Sequence, residues 1–115
     1  MPEARVRYAV WATDREGALQ DRLRVREEHR MRLRNPLQHA VTVLMAGPTL
    51  DESGHSMNGT LLVVEAASAE AVRAFIDDDP YVRHGVYASV DIRPWHCGLG
   101  VLSESSVASP TGAST

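Results

Sequence analysis

The chain has 115 residues, which is enough for one domain with one hydrophobic core. Its 12 basic residues are all arginine and stand against 15 acidic residues, so the formal charge of −3 argues against a nucleic-acid-binding protein. A single cysteine, Cys97, excludes an internal disulfide framework and a thiolate zinc cluster. We find no apolar run long enough for a membrane span and expect no signal peptide, so we expect a cytoplasmic protein.

The first half of the chain predicts a strand, a helix and a second strand. From Arg5 to Thr13 apolar and polar residues alternate, which is typical of a strand. Helical spacing follows over residues 17–34, and Asn35-Pro36 ends the helix because the residue before a proline avoids helical backbone. Residues 38–46 are predicted to form the second strand, which Gly47-Pro48 ends.

The second half predicts a third strand, a second helix and a fourth strand. Residues 59–67 are rich in strand formers, and a polar loop joins them to the second strand as an antiparallel hairpin. Ser68 is the predicted N-cap of a helix with an apolar stripe, and Asp79-Pro80 ends that helix. The last strand is predicted over residues 86–93.

This order predicts an α+β, ferredoxin-like βαββαβ fold, with a four-stranded antiparallel sheet and two helices on one face. We expect the domain to occupy residues 1–100 and residues 101–115 to form a disordered tail of small residues. The second and third strands are apolar on both faces, so a second copy of the chain is expected to cover the open face as a homodimer. Strict alternation in the second strand places Val41, Val43 and Met45 on one face and Leu44 and Ala46 on the other.

Six arginines lie between residues 22 and 34, and helical periodicity divides them. The predicted buried stripe is Leu19, Leu23 and Leu33. On the opposite, solvated face lie Arg24, Arg32 and Arg34. On the same side as the stripe lie Arg22, Arg26 and His29. Since an uncompensated buried charge is costly, the inward arginines either snorkel at the edge of the stripe or line a cavity and pair with carboxylates.

Three acidic residues, Asp77-Asp78-Asp79, end the second predicted helix, where the helix dipole favours cations. Ordinary turn chemistry accounts for Asp77 and Asp78. Asp79 would be compensated if it met His29 or Arg26, and this is possible because both helices pack on the same face of the sheet. Whether Asp79 meets His29 or Arg26 stays open at this point, and an enzyme that uses both His29 and Asp79 would hold them in a closed, polar-lined pocket.

Several segments together resemble the YCII-related (YciI-like) family over residues 6–96. The first helix resembles the Arg-x-x-x-Arg-x-x-His helix of that family. The other matching segments are Ala46-Gly47-Pro48, Gly59-Thr60, Asp79-Pro80-Tyr81, Gly85-Val86 and Ile92-Arg93-Pro94-Trp95.

The resemblance implies a dimeric α+β barrel in which residues 1–100 form a YCII-like domain. It also implies an active-site pair in a pocket, here His29 and Asp79, with Thr60 at the hydroxyl position of the family. One characterised type in this family is a dehydrochlorinase that acts on a chlorinated hydroxyquinol. In that family the position of His84 is commonly occupied by a small or apolar residue, so His84 would add a polar group to the pocket.

A histidine held by a carboxylate is suited to general acid or base catalysis near neutral pH. We therefore predict a cofactor-independent enzyme that carries out proton transfer or elimination on a small aromatic or anionic molecule. Its predicted catalytic residues are His29 and Asp79. Its predicted substrate-binding residues are Arg22, Arg26, Thr60, Tyr81 and His84.

No metal or cofactor is expected, because the remaining histidines lack ligand spacing and no phosphate loop or dinucleotide fingerprint is present. Three alternatives stay open at this point. The same pocket suits a non-catalytic module that binds a small molecule, and the open sheet face of an accessory dimer suits the binding of another protein. The polar residues also suit a buried network that only ties the two helices together.

Overall fold

The computed structural model describes residues 5–35 and 40–103. Four strands form one antiparallel sheet in the order β2-β3-β1-β4, and this confirms the predicted ferredoxin-like α+β fold. Most of the predicted tail, from residue 104 onward, lies outside the described residues, as do positions 38 and 39 of the predicted second strand. The elements are β1 (Val6–Asp14), α1 (Leu19–Arg34), β2 (Thr42–Leu50), β3 (Met57–Ala66), α2 (Ala69–Asp77), α3 (Pro80–Arg83) and β4 (Tyr87–Pro94).

The connection between α2 and β4 contains α3, a short helix that the sequence prediction omits. Ser68 caps α2 as predicted, and its hydroxyl accepts a hydrogen bond from the Ala71 amide. At the other end of α2, Asp79-Pro80 both ends that helix and begins the next one. The Asp79 carboxylate accepts from the Tyr81 amide and Pro80 occupies the first turn, where a missing N–H costs nothing.

Strand β2 extends beyond its predicted end, through Gly47 and Pro48 to Leu50. Pro48 lies opposite Thr60 without ending the strand. This is possible because β2 is at the edge of the sheet, where a residue without an N–H donor is tolerated. The prediction that Gly47-Pro48 ends the strand is therefore wrong.

A register shift between Val43 and Met45 interrupts the alternation of β2. Val43 lies opposite the buried Val64, whereas Met45 lies opposite Val63, the next residue of β3. Since successive residues of β3 point to opposite faces, Val43 and Met45 also point to opposite faces. The predicted grouping of Val41, Val43 and Met45 against Leu44 and Ala46 is wrong because a bulge adds one residue to this strand.

The core lies between one face of the sheet and the helices. The main cluster of buried residues comprises Tyr8, Val10, Val41, Leu62, Val64, Ala66, Val72, Phe75 and Ile76. Helix α1 covers the same face with an unexpected stripe, because its buried residues are Arg22, Val25 and His29. The predicted stripe of Leu19, Leu23 and Leu33 is wrong in part: Leu23 is 47% exposed, while Leu33 packs at the edge of the core.

The opposite face of the sheet has exposed apolar side chains. Trp11 lies directly opposite Leu61, and these side chains are 53% and 39% exposed. Met45 is also largely exposed on the neighbouring strand. Among the residues that the structure describes, none of the helices is both long and apolar enough to cross a membrane.

Candidate active site

A cavity of about 520 Å³ lies between α1 and β2. One side is polar and strongly basic, and the other side is formed by β2 from Val43 to Pro48. Exposed residues at one end leave the cavity open to solvent, so it is not the closed pocket that the sequence predicts. The polar and aromatic residues that line it are Arg22, Arg26, His29, Arg30, Arg34, Thr60 and Tyr81.

His29 and Asp79 are in direct contact, as predicted. The Nδ1 atom of His29 lies 2.9 Å from Oδ1 and 2.8 Å from Oδ2 of Asp79, and both side chains are buried. An ionised carboxylate is only an acceptor, so Nδ1 carries the proton and donates it to Asp79. Asp79 does not line the cavity but lies behind the imidazole, where it fixes the ring and its tautomer.

The other ring nitrogen of His29, Nε2, faces the cavity. Nε2 makes no hydrogen bond within the described part of the chain. Every buried side-chain nitrogen or oxygen there has a hydrogen-bond partner, so Nε2, which has none, is accessible to solvent. Since His29 borders the cavity, Nε2 is accessible from the cavity. In the neutral imidazole, in which Nδ1 carries the single proton, Nε2 keeps a lone pair that can accept a proton from a bound molecule.

Two further groups hold this pair in place. The Arg32 guanidinium donates to Asp79 Oδ2 over 3.2 Å and lies 4.3 Å above the Phe75 ring. The Tyr81 ring stacks on the His29 ring, with centroids 4.0 Å apart. The prediction that Arg32 belongs to the solvated face is wrong, because its long side chain reaches across to Asp79 and α2.

Arg22 is buried and is held by hydrogen bonds to two side chains. Its Nε and Nη2 atoms donate to the two carboxylate oxygens of Asp14 over 2.7 and 3.0 Å, and Nη2 also donates to Thr60 Oγ1 over 2.6 Å. Its guanidinium carbon lies 4.3 Å from the Tyr81 ring centroid. Burial disfavours the charged guanidinium, but the hydrogen bonds and charge of Asp14 outweigh that effect and raise the pKa of Arg22.

Tyr87 extends this network from β4. Its hydroxyl donates to Thr60 Oγ1 over 2.9 Å, and its ring packs edge-on against Tyr81. Burial raises the pKa of Tyr87 well above the ordinary tyrosine value, so the hydroxyl stays protonated. Burial also raises the pKa of Tyr81, although Arg22 and Arg26 oppose this effect.

Gly59 explains how Thr60 reaches this position. A Cβ atom at Gly59 would overlap the Ala12 carbonyl oxygen and the Thr49 hydroxyl. The absence of a side chain therefore allows β3 to lie close to both neighbouring strands, immediately before the hydroxyl that meets Arg22.

Arg26 lines the cavity without an ion pair or hydrogen bond to any described residue. Arg26 is half-buried, and its guanidinium nitrogen atoms have no hydrogen-bond partner among the described residues. Since no buried side-chain nitrogen there lacks a partner, these atoms are accessible, as Nε2 of His29 is. Arg34 also lines the cavity and is exposed to solvent, which agrees with its predicted place on a solvated face.

His84 stands apart from the other predicted site residues. It is exposed at the C-cap of α3 and does not line the cavity, so we leave it out of the site proposed below. The sequence prediction missed Asp14, Arg32 and Tyr87. A signal for Asp14 was available, because a buried arginine requires a carboxylate and Asp14 ends the strand that precedes α1.

No group of three or more possible metal ligands (His, Cys, Asp or Glu) occurs in residues 5–35 and 40–103. The single thiol, Cys97, is buried and donates to the Leu99 carbonyl.

Similarity to known proteins extends over most of this fold. The protein YciI of Escherichia coli is 36% identical over 93 residues, which cover 76% of this chain and 94% of that protein. An uncharacterised protein of Haemophilus influenzae is 34% identical over 93 residues, which again cover 76% of this chain and 94% of that protein. The solved structure of the dehydrochlorinase TftG from Burkholderia phenoliruptrix, in complex with 2,5-dihydroxybenzoquinone, superposes with a TM-score of 0.67. That enzyme acts on 5-chloro-2-hydroxyhydroquinone, is 29% identical, and matches 79% of this chain and 95% of its own.

The family model of the YCII-related domain matches residues 6–96. This range contains the whole sheet, all three helices and every residue of the cavity wall. On this match and the identity to YciI, the chain belongs to the YCII-related family.

Proposed function

We propose that the protein is a cofactor-independent enzyme in which His29 acts as general base and then general acid on a small molecule. The observation that carries the proposal is the orientation of His29: Nδ1 donates to Asp79, while Nε2 is left free at the cavity. A resemblance in fold to a dehydrochlorinase supports chemistry that begins with removal of a proton.

The proposed reaction begins when Nε2 takes a proton from an acidic C–H or O–H of the bound molecule. The resulting imidazolium is stabilised by the Asp79 carboxylate, which lies 2.8 Å away. The electron pair left on the substrate moves toward an oxygen, where Arg26 and the Thr60 hydroxyl are placed to stabilise the developing negative charge.

Two outcomes complete the reaction. In an isomerisation, His29 returns the proton to another atom of the same molecule. In an elimination, the electron pair forms a double bond, the leaving group departs with its bonding electrons, and His29 later releases its proton to the leaving group or to water. Asp79 and Arg32 take no proton in either outcome and act as positioning residues.

The decisive experiment measures proton abstraction directly, without the natural substrate. We expect the wild-type protein to catalyse exchange of an acidic C–H for deuterium in enolisable keto acids, followed by proton NMR in D₂O. The same variants should be assayed with 5-chloro-2-hydroxyhydroquinone, which is the substrate of the related dehydrochlorinase.

The matched variant is His29→Asn, whose amide keeps a donor toward Asp79 and lacks Nε2. We expect exchange to fall about 100-fold or more, the usual contribution of a positioned acid or base. Arg24→Gln is the control, because Arg24 is exposed and pairs with Asp21 away from the cavity. Exchange that survives in His29→Asn would remove His29 from the mechanism, and binding without any exchange in the wild type would favour a non-catalytic binding module.

We also propose that the protein is a homodimer, in which a second copy covers the open face of the sheet. Exposed Trp11 and Leu61, paired across two strands, support this assembly because soluble monomers seldom expose large apolar patches. Light scattering at micromolar concentration should give twice the chain mass, and Trp11→Glu should convert the dimer to monomer. A monomer in the wild type would contradict the proposal.

A further inference from the structure

The wall of the cavity carries charge of one sign. Four arginines and His29 line it, and none of the described residues in the lining is acidic. The two buried carboxylates nearby already have cationic partners, Asp14 in Arg22 and Asp79 in Arg32. Among the described residues, Arg26 and Arg34 therefore face the cavity without a carboxylate partner.

Three of these arginines form a row along α1. Arg26, Arg30 and Arg34 are four residues apart, so each is one helical turn, or about 6 Å, further along the axis. Arg26 and Arg34 form no ion pair with a described residue, and Arg30 has only a 3.9 Å contact with the exposed Glu27. Because Arg26 and Arg34 are about 12 Å apart along the helix, one carboxylate cannot neutralise the whole row.

Thr60, which contacts Arg22, adds a hydrogen-bond donor to the lining of the cavity. Its Oγ1 atom accepts from Arg22 and from Tyr87, which occupies both lone pairs of the hydroxyl oxygen. The Thr60 proton is then the group left to offer to a ligand in the cavity. The polar wall near His29 thus presents donors to an oxygen atom of the ligand.

The facing wall is apolar. Val43, Leu44 and Ala46 of β2 line it, opposite the arginine row of α1. This combination suits a carbon skeleton that packs on β2 while acidic groups at two points face α1.

We propose that the ligand of this cavity is a small organic diacid, an inference that rests on the acid–base function proposed above. One acidic or enolate oxygen binds Arg26 and the Thr60 hydroxyl next to His29. The second group, a carboxylate, binds Arg30 and Arg34 at the open end. Guanidinium groups suit this role because they bind carboxylates through two parallel hydrogen bonds.

Calorimetric titration tests the proposal with defined probes that need not react. The diacids are isophthalate and adipate, and the matched control ligand is isophthalamic acid, in which one carboxylate of isophthalate is replaced by a neutral amide. The protein variants are Arg34→Gln, Arg26→Gln and, as a charge-matched control outside the cavity, Arg24→Gln.

We expect a diacid to bind about tenfold or more tightly than isophthalamic acid, since each charge-assisted contact is worth at least that factor. Arg34→Gln should abolish this preference and Arg26→Gln should weaken both ligands, whereas Arg24→Gln should leave affinities within about twofold. Equal affinity for isophthalate and its monoamide would overturn the proposal. So would equal losses in Arg24→Gln and Arg34→Gln, or no saturable binding of either diacid in the millimolar range.

The two proposals fail in different ways. His29→Asn should retain diacid affinity, because the diacid contacts are made by arginines and Thr60, while its proton exchange is lost. Exchange without diacid preference would leave the catalytic role of His29 intact and refute the ligand class. Diacid binding without exchange in the wild type would support the ligand class and refute the catalytic role.

Discussion

The buried ion pair between Arg22 and Asp14 offers the most direct test of how the site is held together. Arg22→Met keeps an unbranched apolar stem that reaches as far as Nε but removes the guanidinium group and its three hydrogen bonds. It leaves the Asp14 carboxylate, whose side chain is only 6% exposed, without its cation. Breaking one partner of a buried pair costs about 3–5 kcal/mol. For a domain of this size, we expect the melting temperature to fall by at least about 12 °C.

Urea unfolding followed by far-ultraviolet circular dichroism measures this loss, and Arg24→Met supplies the comparison. Arg24 pairs with Asp21 at the surface, so its replacement should cost about 1 kcal/mol or less. Asp14→Asn and the double variant complete a cycle, in which we expect a coupling of about 2 kcal/mol or more. A cost of Arg22→Met below about 1 kcal/mol, or additive effects in the cycle, would refute the assignment of Arg22 as a buried structural cation.

Two further predictions concern the neighbours of Thr60. Gly59→Ala should lose about 1–3 kcal/mol of unfolding free energy in urea because its Cβ would overlap the Ala12 carbonyl, whereas Gly47→Ala, with open space around it, should change stability little. Tyr87→Phe should lose about 0.5–1.5 kcal/mol at pH 7 with its hydrogen bond to Thr60. The difference in stability between wild type and Tyr87→Phe should shrink above pH 10. Burial raises the pKa of Tyr87 in the folded protein, so above pH 10 this tyrosine ionises in the unfolded chain but not in the folded one, and the wild type loses stability. Phenylalanine does not ionise, so the variant lacks this loss. A stable Gly59→Ala, or a constant deficit across this pH range, would contradict these expectations.

Local patterns were sufficient for most of the fold. Ser68 could be assigned as a cap because a hydroxyl before a helical stripe has one common structural use, and its hydrogen bond to Ala71 confirms it. The bulge at Val43 was not predictable, because a period-2 pattern contains no mark of an inserted residue when both faces are apolar.

The pairing of His29 with Asp79 is confirmed. Local patterns indicated an inward partner for an acid at a helix C-terminus, and the resemblance to the family selected His29 rather than Arg26 as that partner. The prediction that Arg32 lies on a solvated face is wrong for the opposite reason, because no local anomaly marks this residue. Its position on the helical wheel is polar and ordinary, and only the tertiary arrangement shows that its side chain crosses to Asp79 and Phe75. Periodicity fixes the direction of a Cβ atom, but it does not fix where a long side chain ends.

The mistaken stripe of α1 has the same origin. Leucine is the usual buried residue of a helix, so periodicity predicts that Leu23 lies in the core and does not decide between a buried and a snorkelling Arg22. The structure reverses these roles because Asp14, Thr60 and Tyr81 together provide a polar site for the guanidinium. The residues that make burial of the Arg22 guanidinium favourable come from β1, β3 and α3. The residue pattern of α1 alone contains no information about them.

The contrast between Arg22 and Arg26, one helical turn apart, has a consequence for how this protein can diverge. Arg22 is tied to the fold by Asp14 and Thr60, so a substitution there is eliminated through misfolding before its effect on any ligand matters. Arg26 has no such bonds, so substitutions there cost little stability and change what the cavity accepts. Among descendants of this sequence, new ligand preferences should therefore arise at Arg26 while Arg22 stays unchanged.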